Sequence, residues 1–319
     1  MYRADLRSLL PDDDTLGLGL ASVFGELPRC ERVAHIYASS FPAEIVRCTF
    51  ADGHRSDVLC KYTAGKQYAT GGHRGGVAYE AAVYASVLTP LGVSTPAFYG
   101  DYEDKNSGDH WLFVEFLGAA VRADEANDCS VALRAAARWA GGFQHRIDCD
   151  PSLASAPELT VYTPDYYRQW ARRTSRFGDG WLSDYPWLPT LCRRFEELAT
   201  DFAAPDSLIH GEFTPHNVLV DDAGVHPVDW ESAARAVGEI DIASLVEGWP
   251  DDIVSACVSE YLSARWPTGA PEATHARLDF ARVYWALRWL GHAPGWREKA
   301  VAMRMKQLLV SGERLGLIE

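Results

Sequence analysis

The residues most able to do chemistry lie in one stretch, 208–231, which reads LIHGEFTPHNVLVDDAGVHPVDWE. A short apolar strand delivers His210, Gly211 and Glu212 into a loop, and Asn217 follows on the same loop. Val218–Val220, a turn at Asp221–Gly224 and Val225–Val228 then read as a β-hairpin, with Asp229 at the end of its second strand. A hairpin returns the chain to where it began, so Asn217 and Asp229 are expected to be neighbours. An amide oxygen and a carboxylate there are hard oxygen ligands, which suit Mg²⁺ bound partly through nucleotide phosphates. Glu212 is placed to orient a hydroxyl nucleophile and accept its proton.

These groups need elements to hold them. Arg32–Ala38, Glu44–Phe50 and Asp57–Tyr62 are short β-rich runs punctuated by Ser39–Pro42 and Ala51-Asp52-Gly53, and they read as an antiparallel meander. Before them, short apolar groups surround Pro11 and Asp12–Asp14, and Asp14 is a candidate cap for a short helix. The glycine-rich run 71–76 is read as a linker; it lacks the Gly-Lys-Ser/Thr ending of a phosphate loop. Val77–Leu88 has apolar residues at helical spacing and is expected to stop at Pro90. Phe98–Tyr102 and Trp111–Phe116 form another hairpin across the polar EDKNSGD loop. Beyond residue 117 helices dominate, at 130–147, 164–176, 188–202 and from about 240 onward. The expectation is a small lobe of strands plus one helix, residues 1–115, followed by a larger helical lobe, 116–319.

The segment 210–231 resembles the catalytic region of the aminoglycoside phosphotransferase and choline kinase group, a phosphotransferase enzyme family. His210, Gly211, Asn217, Asp229, Trp230 and Glu231 match its pattern, and Ile240-Asp241-Ile242-Ala243 looks like the family segment whose Asp braces the catalytic loop. The resemblance implies a bilobal α+β, protein-kinase-like fold with an antiparallel-sheet N-lobe. It also implies an enzyme that moves the γ-phosphoryl of ATP or GTP onto a hydroxyl of a small molecule, with Mg²⁺. By the same resemblance Lys61, in the strand SDVLCKY, contacts phosphates and Glu80, in VAYEAAVY, holds it. The backbone at Glu115 and Leu117 would take the purine base, and Ser39 and Ser40 would lie in the loop covering the phosphates. One departure stands out: the family's catalytic Asp is Glu212 here, and the extra methylene lengthens its reach by roughly 1.5 Å.

Bulk composition sets limits. Apolar residues make up 47% and charged residues 23% of 319, ordinary for a globular protein. A net charge of −14 argues against nucleic-acid binding and fits a cationic small molecule. Seven scattered cysteines without a Cys-x-x-Cys pair carry no zinc or redox signature and suit a cytoplasmic protein. No stretch approaches a membrane span. The expected acceptor is an antibiotic or similar compound, cationic or sugar-bearing; Tyr162, Tyr166, Tyr167, Trp170, Trp181 and Trp187 are read either as an aromatic wall for it or as packing between helices. The alternatives are a metabolite kinase of the choline, sugar or amino-alcohol type, and a degenerate kinase-like nucleotide-binding protein. A stripe of Leu278, Ala281, Trp285 and Trp289 on one helical face reads as core packing.

Overall fold

A computed structural model describes residues 9–35, 41–64, 74–150, 152 and 159–319. The chain divides into two compact units, Met1–Val121 with Asp221–Ser232, and Arg122–Val220 with Ala233–Glu319.

The first unit is built on a five-stranded antiparallel sheet of β1 (Arg29–Ala34), β2 (Ala43–Thr49), β3 (Arg55–Tyr62), β4 (Phe98–Glu103) and β5 (His110–Glu115), in the order β1-β2-β3-β5-β4. Side chains alternate along a strand. Val58, Cys60 and Tyr62 of β3 therefore join Val46, Cys48, Trp111 and Phe113 in the core, against Leu16 and Leu20 of helix α1 (Asp13–Phe24). Lys61 falls between two of those positions and is turned to the opposite face. The N-cap of α1 is Asp12, not Asp14: its carboxylate accepts from the Thr15 amide at 2.7 Å, and its backbone is still extended there.

Helix α2 (Gly76–Val83) runs into a π-helical turn, Tyr84–Leu88, and continues as Thr89–Leu91 to a left-handed Gly92. Pro90 thus does not stop the helix where the sequence suggests. A proline ring clashes with the carbonyl four residues back in an ordinary α-helix. The wider π turn directly before Pro90 relieves that clash, and the Thr89 amide donates to the Tyr84 carbonyl.

The second unit is mostly helical: Cys129–Cys149, Pro164–Phe177, Leu188–Phe202, Asp251–Arg265, Thr274–Leu290 and Glu298–Arg314. It also holds a small sheet in which Ala234–Ala236 lies parallel to Thr160–Val161 and antiparallel to Ser207–Ile209. The outer strand 160–161 and the central 234–236 are too short to leave a readable alternation in the sequence. Tyr162, Tyr166, Tyr167 and Trp170 pack inside this unit, Tyr162 stacked on Tyr166, Trp170 edge-on to Tyr166, and Tyr167 edge-on to Tyr284 and Phe280, so they are core and not an open aromatic wall. Trp181 and Trp187 stay partly exposed. Leu278, Ala281 and Trp285 are buried as the stripe predicted, but Trp289 is 49% exposed and carries the Arg304 guanidinium over its ring. Among the described residues no helix is long and apolar enough to cross a membrane.

Candidate active site

In the first unit the chemistry gathers around one lysine. The Lys61 Nζ donates to Glu80 Oε2 at 2.6 Å and to Asp229 Oδ1. Strand β3 presents Lys61 and helix α2 presents Glu80, both almost fully buried. The other oxygen of Glu80 accepts from the Trp230 amide at 3.1 Å, which ties the helix to the segment that carries Asp229. Burial alone would lower the basicity of Lys61, but the facing carboxylates of Asp229 and Glu80 more than offset it, and the ammonium is held protonated. Asp229 sits at φ 68°, in the left-handed region that side chains other than glycine seldom occupy. Such a residue persists only where its surroundings over-determine it, and Lys61 supplies one such restraint.

Sequence reasoning left Glu231 without a role. It is completely buried, its carboxylate lies 3.5 Å from Arg74, and its backbone carbonyl accepts from the Gly75 amide at 2.8 Å. Burial, with Asp229 close by, pushes its carboxyl up to about 8. The carboxyl groups of Glu80, Asp229 and Glu231 gather here around Lys61, with Arg74 beside Glu231. At the end of β5 the Glu115 amide donates to Ala97 O at 2.8 Å. Among the described residues the Leu117 amide makes no hydrogen bond, so it remains available as a donor. Ser39 and Ser40 lie outside the described residues, as do residues 71–73 of the glycine-rich run.

In the second unit, the buried strand Ser207–Ile209 leads into the loop that carries Glu212. Asp241 braces that loop: its two oxygens accept from the amides of His210 at 2.9 Å and Gly211 at 3.0 Å. Burial pushes the Asp241 carboxyl up to about 7 against the pull of those amides. Gly211 adopts φ 81°, a turn that a side chain would strain. His210 is wholly buried and accepts from the Glu212 amide at 3.3 Å, which fits a structural part. The Asn217 Nδ2 donates to the Glu212 carbonyl at 3.0 Å. That bond fixes the amide's orientation and leaves its oxygen for another partner.

The Glu212 carboxylate itself meets Arg288, whose Nη2 donates to Oε1. Arg288 comes from the helix Thr274–Leu290, is 4% exposed, and lies over the Trp285 ring at 4.9 Å. Sequence reasoning missed it. The signal was weak: Tyr284 and Trp285, one turn back on the apolar helix face, are the neighbours of Arg288, and a guanidinium buried there needs an acid. His216, on the same loop as Glu212, pairs with Asp124 at 2.7 Å.

The donor sets fit magnesium in chemical type. Asp229 offers a carboxylate and Asn217 an oriented amide oxygen, both hard ligands, and Mg²⁺ needs few protein ligands when phosphates supply the rest. Among the described residues no cluster of three or more His, Cys, Asp or Glu is arranged to hold a metal by itself.

The phosphotransferase enzyme family matches the chain over residues 63–281. Solved structures agree on the fold. A choline kinase from Streptococcus pneumoniae is 12% identical with a TM-score of 0.57, over 92% of this chain and 96% of that one. A spectinomycin phosphotransferase, solved with ADP and spectinomycin, is 13% identical with a TM-score of 0.56, over 95% and 100%. A macrolide 2'-phosphotransferase from Brachybacterium faecium is 19% identical with a TM-score of 0.53, over 91% and 97%. No curated protein matches the chain.

Proposed function

The chain belongs to the phosphotransferase enzyme family, and from that premise we propose that it transfers the γ-phosphoryl of ATP or GTP to a hydroxyl of a small organic acceptor. The observation that carries this reading is the Lys61–Glu80 ion pair joined by Asp229: a buried ammonium held in place by one acid and beside another, the arrangement a phosphate-contacting lysine needs. In this reading Lys61 contacts the α- and β-phosphates, and Glu80 fixes its position. The backbone at Glu115 and Leu117 takes the base, and Ser39 and Ser40 cover the phosphates. Asn217 and Asp229 would hold Mg²⁺, which would supply charge neutralisation for the phosphates. Glu212 aligns the acceptor hydroxyl and accepts its proton as the phosphorus–oxygen bond forms. Residues 1–115 serve mainly the nucleotide and 116–319 the acceptor.

The acceptor we favour is an antibiotic or similar compound, cationic or sugar-bearing, modified for resistance. A metabolite of the choline, sugar or amino-alcohol type is the second candidate. The chain's net charge of −14 supports a cationic acceptor in either case. The Arg288–Glu212 pair favours one different reading, a nucleotide-binding protein that has lost transfer, because a base committed to an ion pair is a weaker base.

Calorimetric titration with Mg·ATP and Mg·GTP, with and without magnesium, tests the nucleotide half. Magnesium-dependent binding of either is expected, and an acceptor screen with the bound nucleotide then separates enzyme from degenerate binder. Absence of binding at millimolar nucleotide would overturn the roles of Lys61, Asn217 and Asp229.

A further inference from the structure

Away from Glu212 and its loop, the second unit holds a cavity of about 370 Å³, the size of a small-ligand site. Its wall includes Arg235, Arg265, Arg277, Asp148, Asp206 and the half-buried Trp266. The charges in it are unevenly matched. Arg265 is 1% exposed and faces Asp148 at 3.1 Å, Asp206 at 3.4 Å and Glu239 at 3.7 Å. Arg277 shares two of those acids, Asp206 and Glu239. Two guanidinium groups thus serve three carboxylates, Asp148 and Asp206 in the wall and the buried Glu239 behind it, so this cluster as a whole carries one negative charge in surplus. Arg235, on the central strand 234–236, has no ion pair or side-chain hydrogen bond among the described residues. It leaves one positive charge in surplus, at a different point of the same wall.

Two further groups are unspent. Ser207 and Thr274 line the cavity, each is 2% exposed, and neither hydroxyl has a hydrogen-bond partner among the described residues. A buried hydroxyl without a partner costs roughly 1–3 kcal/mol, and a ligand able to reach it removes that cost. Ile147, Pro205 and Pro271 supply apolar wall between the charges.

This cavity connects to the catalytic loop in two ways. Ser207 begins the strand whose far end delivers His210. Arg265 also starts a relay: its Nη1 donates to the Tyr261 hydroxyl at 2.8 Å, which donates to Gln144 Oε1 at 2.6 Å. Gln144 Nε2 donates to Asp241 Oδ2 at 3.3 Å, and Asp241 braces the loop amides. The relay runs tightly past Gly238, where a Cβ would collide with both Arg265 and Gln144.

We infer that this cavity is a regulatory site for a small amino-acid-like zwitterion. The ligand's anionic group lies on Arg235, its ammonium on the Asp148 and Asp206 side, and its apolar body between them. A ligand there competes for the carboxylates that hold Arg265, and any shift of Arg265 reaches Asp241 through Tyr261 and Gln144. A neutral or purely anionic ligand would leave one of the two surplus charges unmatched. The binding claim stands on the cavity alone, whereas the regulatory claim rests on the phosphotransferase reading above.

Three probes of similar size separate the terms: L-phenylalanine, 3-phenylpropanoate, which lacks the ammonium, and phenethylamine, which lacks the carboxylate. Each is titrated calorimetrically into the full chain. Phenylalanine should bind at least about tenfold more tightly than either analogue, the scale of one charge-assisted hydrogen bond. Arg235→Gln should reduce phenylalanine to the level of phenethylamine. Because the Arg235 side chain holds no partner, this variant keeps the fold, and its basal phosphoryl transfer should be unchanged. Phenylalanine that fails to bind, binds no better than 3-phenylpropanoate, or is indifferent to Arg235→Gln overturns the site. Where binding holds, phenylalanine should shift the nucleotide affinity of the wild type, and Tyr261→Phe should abolish that shift while leaving phenylalanine bound. Binding with no shift in a protein that does bind Mg·ATP overturns the regulatory claim. A protein that binds phenylalanine but no nucleotide instead overturns the phosphotransferase reading and keeps the site.

Discussion

Arg288 and Glu212 form a buried ion pair between the helix Thr274–Leu290 and the loop that carries Glu212. Burial would favour a neutral Arg288, but the Glu212 carboxylate outweighs it and keeps the guanidinium charged. Breaking such a pair from one side leaves a lone buried charge, at a cost of about 3–5 kcal/mol.

Two single variants and their combination therefore separate structure from chemistry. Glu212→Gln and Arg288→Met should each lower thermal stability markedly, whereas the double variant should recover at least about half of the loss, since no charge is then stranded. Activity should follow a different pattern. Glu212→Gln and the double variant should both lose roughly 100-fold or more in kcat, the scale of a lost general base. Arg288→Lys should keep the fold and lose less. Thermal melts and steady-state kinetics on the set check both patterns; a double variant as active as the wild type would remove Glu212 from the proposed chemistry.

Much of this arrangement was legible in the sequence because it depends on local spacing. The alternation of Val58, Cys60 and Tyr62 placed Lys61 on the face away from the core, and the family resemblance implied its pairing with Glu80. The sheet of the first unit was likewise readable from short patterns, and the Asp241 brace was implied by the family resemblance. What the sequence hid depends on partners distant along the chain. Arg288 meets Glu212 across 76 positions, which no periodicity encodes. The tyrosines at 162, 166 and 167 had the composition of a ligand wall, and only tertiary packing against Tyr284 and Phe280 makes them core. The helix through Pro90 was misread because a π turn, not the proline alone, sets the local geometry.

Asp229 provides the test of the metal assignment. Its left-handed backbone makes Asn the better probe than Ala, since Asn tolerates that conformation while lacking the charge. Asp229→Asn should fold normally, keep weak nucleotide binding, and lose its magnesium dependence along with about 1,000-fold or more in turnover, the scale of removing a phosphate-neutralising charge. Calorimetry with and without magnesium reads this directly. Retention of wild-type turnover would displace Asp229 from the metal.

Lys61 should behave differently because it neutralises buried acids as well as phosphates. Lys61→Met removes the one ammonium between Glu80, Asp229 and Glu231, so stability as well as nucleotide affinity should fall, by about 2–4 kcal/mol for the fold. Adding Glu80→Gln to Lys61→Met should restore part of the stability and none of the affinity. Melting temperature and nucleotide titration on the two variants distinguish these outcomes; a Lys61→Met protein that binds Mg·ATP as the wild type does would exclude the lysine from phosphate contact.

Asp241 makes stability and activity respond to pH in opposite directions. Its carboxyl is raised by burial from 3.8 to about 7, so the folded chain binds its proton more tightly than the unfolded chain does. The stabilisation linked to that proton is complete below about 3.8 and is lost as pH rises through about 7. Wild-type melting temperature should therefore decline between pH 5 and 8 by more than that of Asp241→Asn, which has no such proton to lose. The loop brace needs the other form. Only the carboxylate accepts from both the His210 and Gly211 amides, whereas a protonated oxygen or an Asn amide sets a donor against one of them. Turnover should accordingly rise through about pH 7 in the wild type, and Asp241→Asn should be roughly 10- to 100-fold slower, the scale of a catalytic group displaced by about 1 Å, with that rise gone. Melting curves and rate profiles over the same pH range check both signs; a rate rise that survives in Asp241→Asn would assign the titration to another group on the loop.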